Sequence, residues 1–154
     1  MLPISAAQEA VVTATVSTEV VSVSVNPTSA DYGTLPVGTV DAPPDGNPDF
    51  TVTNIGTVNE DFNLRGAEAV NGGNSWNLAA TPGAEQYVHK YDPAGSPDTY
   101  TPLTLNAAES SLATDKAPTT AINFKLQLSM PTSFSGLQGQ YDTTVTVVAS
   151  KSTL

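Results

Sequence analysis

The sequence predicts an all-β fold: an antiparallel Greek-key β-sandwich or related barrel of eight or nine strands, with an extended amino-terminal arm. Three observations carry this. Val21, Val23 and Val25 alternate with Ser22 and Ser24, the period of a half-buried strand. Ile122, Phe124, Leu126 and Leu128 alternate in the same way with Asn123, Lys125 and Gln127. Twelve prolines and eleven glycines interrupt a chain rich in Thr, Ser and Val. That punctuation is too dense for long helices, and those residues fit a pleated surface.

The elements follow in order. Residues 1–19 read as an arm, residues 20–150 as the sandwich domain and residues 151–154 as a tail. Within the arm, residues 10–19 have strand composition (Val11, Val12, Thr13, Thr15, Val16, Thr18), yet no turn separates them from the strand at 20–25. Asn26-Pro27 breaks that strand, and Asp31 to Leu35 reads as a short second pass. Pro43-Pro44 and Asp45-Gly46 make 40–48 a loop. Phe50 and Val52 restart the alternation, which Asn54-Ile55-Gly56 closes. Asn59 to Leu64 is a strand with Phe62 and Leu64 inward. Residues 66–74 read as an exposed loop, with a turn at Asn71-Gly72-Gly73. Trp76 and Leu78 mark a short strand, and Pro82-Gly83 a turn. Gln86 to Tyr91 sets Tyr87, His89 and Tyr91 on one face. Tyr100 to Leu105, Ser110 to Leu112 and Tyr141 to Val148 complete the set. The expected core holds Val21, Val23, Val25, Phe50, Val52, Phe62, Leu64, Trp76, Ile122, Phe124, Leu126, Val145 and Val147.

Composition narrows the function. Net charge is −10, with five Lys and Arg and no basic run, which argues against nucleic acid and against anionic membranes as partners. There is no cysteine, so there is neither a disulfide framework nor a thiolate metal site. This suits a hot or oxidising environment, and the expectation is a thermostable chain. No apolar run approaches membrane-spanning length. Met1 to Ala10 lacks the basic and apolar regions of a signal peptide, so an unprocessed start is expected, although Ala-Gln-Glu-Ala could also follow a cleavage site.

Catalysis finds no foothold. His89 is the only histidine, and no nucleophile elbow accompanies it. Zinc would need several His or Cys ligands. Asp41, Asp45, Asp49, Glu60 and Asp61 cluster in sequence, but without the spacing of a calcium loop; a solvated acidic segment is the simpler reading. The expectation is no enzyme, no cofactor, no metal and no small-molecule substrate.

One stretch carries a resemblance. Val25-Asn-Pro-Thr-Ser-Ala-Asp-Tyr-Gly-Thr-Leu-Pro-Val-Gly-Thr39, followed by Phe50-Thr-Val-Thr-Asn-Ile-Gly-Thr57, resembles the opening of immunoglobulin-like β-sandwich modules of prokaryotic surfaces and virions. It covers the first third of the chain and speaks to fold more than to task. In size, acidity, β-content and arm the chain is also similar to capsid decoration proteins of tailed bacteriophages. That resemblance implies a cement role on the virion exterior: a homo-oligomer, expected as a trimer, bound to a capsid shell protein. The alternative is a secreted or cell-surface module, such as a filament subunit or adhesin. A third reading uses Tyr87, His89 and Tyr91 as a carbohydrate-binding or hydrolytic face. For the assembly readings, the expected interface residues are Ile4, Val11, Val12, Val16, Tyr87, His89 and Tyr91.

Overall fold

The structure is a computed structural model and describes residues 13–93, 99–105, 109–136 and 138–154. Among them are ten strands and no helix: β1 (Val23–Asn26), β2 (Phe50–Asn54), β3 (Glu60–Gly66), β4 (Ala69–Asn71), β5 (Asn74–Leu78), β6 (Gln86–Pro93), β7 (Thr101–Pro102), β8 (Ser110–Lys116), β9 (Ala121–Ser129) and β10 (Val145–Lys151). They form two sheets, which makes the protein an all-β sandwich. The larger runs β1-β2-β9-β6-β5-β4, with β7 also on β6, and the smaller runs β10-β3-β8. Strands distant in sequence lie side by side, as β9 does between β2 and β6, so this is no simple meander.

The alternations explain the layers. β2 and β3 each bury every second residue: Phe50, Val52 and Asn54 on one, Glu60, Phe62, Leu64 and Gly66 on the other. Phe50 stands directly opposite Phe124 in the ladder, and their rings stack at 5.3 Å. Phe62 and Leu64 from the small sheet meet Phe50, Val52, Tyr91, Phe124, Leu126 and Leu128 from the large one, and Trp76, Leu78, Leu103 and Leu112 extend the same core. Each such side chain, fully buried, stabilises the fold by about 1.5–3 kcal/mol. Val23, Val25, Ile122, Val145 and Val147 pack against this core from its margin, half-buried.

The structure departs from expectation in five places. Ten strands replace eight or nine, because the segment read as an exposed loop contains β4, which pairs with β5 across the Gly72-Gly73 turn. The pair β5–β6 is parallel, with Asn77 opposite Gln86 and Leu78 opposite Tyr87. Asp31 to Leu35 forms no strand; Tyr32 turns its side chain inward instead, and its hydroxyl reaches His89. The last strand starts at Val145 rather than Tyr141 and runs to Lys151, while Asp142 makes an isolated bridge to Val70. Val21 is not core: it is 42% exposed and precedes the start of β1.

Candidate functional site

The most unusual side chains of the interior sit on β6. This strand lies between β9 and β5 in the large sheet, and Tyr87, Val88 and His89 on it are buried in succession. His89 Nε2 lies 2.7 Å from the Tyr32 hydroxyl. Either tautomer satisfies that bond, and Nδ1 is buried without a partner among the described residues. The Tyr87 hydroxyl donates to Ala67 O, and Thr143 Oγ1 lies 2.8 Å from it. The Tyr91 hydroxyl donates to Ser111 O at 3.0 Å, tying the large sheet to β8.

Burial sets the charge state of this line. It depresses His89 to about 4, so the ring is neutral at ordinary pH. It pushes the Tyr87 hydroxyl up to about 12, although the hydrogen bond with Thr143 works in the opposite direction. Tyr32 is raised in the same sense by burial. The neutral His89 ring, bonded to the Tyr32 hydroxyl, ties the Tyr32 segment to β6. Tyr87, His89 and Tyr91 share a face as the sequence indicates, but that face points inward. They therefore offer neither the exposed platform of a carbohydrate site nor, in this conformation, a surface for another subunit.

The acidic residues of 41–61 are engaged separately. Lys90 Nζ donates to Asp41 Oδ1 at 2.6 Å. That hydrogen bond is the main reason the Asp41 carboxyl lies below its usual range. Asp41 N–H also donates to Ser129 Oγ at 3.0 Å, which pins the loop to the end of β9. Asp49 lies 3.8 Å from Lys125, and Asp61 accepts the N–H of Asp115. No group of three or more His, Asp or Glu among the described residues is arranged to hold a metal ion. An open hollow of about 300 Å³ is lined by Ala67, Glu68, Val70, Asp142, Thr143 and Thr144. Its Thr143 hydroxyl and Ala67 carbonyl already serve Tyr87 and each other.

The amino-terminal edge is different. Of the arm residues expected at an interface, Ile4, Val11 and Val12 lie outside the described residues, and Val16 is 94% exposed. Residues 13–22 carry no strand, and Thr13 to Val21 are all exposed. Yet residues 20–22 are stitched down. Thr57 N–H donates to Val20 O, and Ile55 N–H donates to Ser22 O. These pairs continue the β1–β2 register, in which Val23 faces Asn54. Val20 N–H donates to Thr57 Oγ1 at 2.9 Å, and Ser22 N–H to Glu60 Oε1 at 2.7 Å. Glu60 is fully buried, and its Oε2 has no partner among the described residues.

Gly56 makes the close approach possible. A Cβ there would lie 2.3 Å from Val20 O and 2.4 Å from Glu60 Oε1. The Asn54-Ile55-Gly56 turn was legible as a strand end, but nothing in the sequence announced that it receives the incoming chain. No protein-family model matches this chain, and neither a curated protein nor a solved structure does.

Proposed function

We propose that this protein is a structural assembly protein, most specifically a virion decoration protein that binds and stabilises a capsid shell. The observation that carries the reading is the contrast between a closed interior and an open amino-terminal edge. Interior polar groups fix loops. Residues 13–18 instead form a neutral segment rich in β-branched residues, exposed beyond the contact of Thr18 with Thr57. Assembly proteins use such segments to join neighbours through backbone pairing. The low charge content, 13% of residues, suits a surface largely covered by partners. A secreted or cell-surface module, filament subunit or adhesin, would use the same edge and is the alternative.

Gentle lysis of the source material, gradient sedimentation and mass spectrometry of the fractions test this. The expected result is recovery in a particle of shell size together with one abundant shell protein. Recovery in the envelope fraction would replace the virion reading by the surface reading. Recovery only as free protein would overturn both. Salt gives a second readout. Contacts between acidic copies tighten as salt screens them, whereas steep weakening by salt identifies a basic partner surface.

A further inference from the structure

The edge just described runs continuously from Thr13 through β1 to Asn26, and its first part outlasts its partner. The antiparallel pairing that starts at Val23–Asn54 continues backwards to Val20–Thr57 and stops there, because the partner chain turns away through Val58 and Asn59 into β3. Among the described residues, the earliest hydrogen bond to the segment is the one Thr18 O accepts from Thr57 Oγ1 at 3.2 Å. Residues 13–17 project beyond it.

We infer that residues 13–18 pair antiparallel with the same segment of a second copy of this chain, forming a two-fold dimer. The inference rests on the assembly reading only in treating this segment as a contact.

Three arguments select a second copy as the occupant. The first is charge. The chain carries a net charge of −10, so most faces of two copies repel, yet Ala10 to Thr18 contains no charged residue. The flanking Glu19 is already neutralised by Lys151 Nζ at 2.7 Å. The second is the absence of protection. Edge strands are normally guarded by charge, proline or a covering segment. β8 carries Asp115 and Lys116, and β4 is covered by the bridge between Val70 and Asp142. Thr13-Ala-Thr-Val-Ser-Thr18 has none of these and is rich in β-branched residues. The third is apolar surface beside the segment. Val20 and Val21 are 43% and 42% exposed, and Leu154 is brought to the same end by the bond from Ser152 N–H to Asn59 O. An antiparallel self-pair is isologous and closes at two copies. The unit is therefore a dimer rather than the trimer expected from the resemblance.

The chain has no cysteine, which makes a cross-linking scan clean. Single cysteines are placed at positions 13 to 18 of the full chain, alone and mixed in adjacent pairs, with Val37→Cys as an exposed control. A disulfide needs Cα atoms about 4.4–6.8 Å apart. Mild oxidation should therefore link copies at one position or one adjacent pair, with yield falling on either side. Sedimentation equilibrium of the unmodified chain should give a dimer, and Thr15→Pro and Val16→Lys should each weaken it at least about tenfold, or about 1.4 kcal/mol. Circular dichroism should confirm that both variants stay folded. A flat cross-linking profile, a trimer, a monomer up to about 100 μM, or a dimer indifferent to both variants would overturn the inference. A monomer that still sediments with a shell overturns the dimer and leaves the assembly reading standing. A dimer never found on a particle or envelope does the reverse.

Discussion

The segment 13–19 and the final strand β10 are written in the same alphabet of Thr, Val, Ser and Ala, each closed by one charged residue, Glu19 and Lys151. One is exposed along its length; the other is paired residue by residue with β3, from Val145 opposite Gly66 to Lys151 opposite Glu60. Strand propensity does not separate them. β10 has a free ladder beside it and a core beneath, against which Val145, Val147 and Ala149 pack. Residues 13–19 have neither, because the chain after β2 turns away beyond Thr57 into β3. A backbone hydrogen bond contributes about 0.5–1.5 kcal/mol net, against about 1–2 kcal/mol to order each residue. Pairing alone nearly cancels, and apolar burial decides whether a strand stays. The difference teaches that a strand is a property of a sequence and its neighbour together.

Removing the core under β10 is the strongest way to break the comparison. Phe62 is fully buried and faces Ala149 in the ladder. Phe62→Ala should cost about 3–5 kcal/mol, read as a lower denaturation midpoint at constant slope. Residues 13–19 have no stake in Phe62, so their amide exchange should stay fast in both proteins. A loss below about 1 kcal/mol would mean that β10 is held by something other than this core.

Acid should weaken the domain and leave the segment untouched. His89 is held neutral in the fold, with its pKa lowered from 6.5 to about 4. The unfolded chain takes up a proton below about 6.5 and the folded chain does not, so stability is lost as pH falls between those values. The maximum loss is about 3 kcal/mol at 1.36 kcal/mol per unit. The Asp41 contribution follows only at lower pH, since Lys90 holds that carboxyl below 3.8. His89→Gln keeps a partner for Tyr32 and should flatten the stability profile between pH 6.5 and 4. An unchanged slope in that variant would show that another group carries it.

A gentler change acts where the two regions meet. Gly56→Ala forces a methyl group into Val20 O and Glu60 Oε1. Overpacking of this kind costs about 1–3 kcal/mol. Here part of the strain should be relieved by releasing residues 20–22. Hydrogen exchange should accelerate at Ser22 N–H, whose acceptor is Glu60, and not at the β10 amides. Equal acceleration in both would mean that the strap and the sandwich unfold as one unit.

How much of this was legible follows from the same rule. β2, β3 and β9 could be read directly, because Phe50, Val52, Phe62, Leu64, Phe124 and Leu126 alternate with polar residues on strands with one covered face. β6 could be placed but not oriented: Tyr87, His89 and Tyr91 look like a polar aromatic surface until the core and the Tyr32 segment cover them. β4 was hidden because three residues beside a glycine pair carry no period. The parallel β5–β6 contact depends on a chain path that no local pattern encodes. Asp31 to Leu35 misled because an inward tyrosine imitates a strand residue. At the amino-terminal edge, composition marks residues 10–19 as strand-like, while Gly56, Thr57 and Glu60, which hold residues 20–22 to the domain, give no local signal.

The smallest effect sharpens the comparison most. Deleting residues 1–18 removes the bond between Thr57 Oγ1 and Thr18 O and keeps Glu19, Val20 and Ser22 with their partners. No core side chain is lost among the described residues. The truncated domain should therefore lose less than about 0.5 kcal/mol, the range of surface changes away from structural features. A segment that pairs between copies adds a further condition. Association stabilises the folded state in proportion to the logarithm of concentration. Full-length and truncated proteins should therefore melt together when dilute and separate progressively as concentration rises. A gap that is already present at high dilution and does not grow would mean that residues 13–18 stabilise their own domain, and that β10 and the amino-terminal segment differ in degree and not in kind.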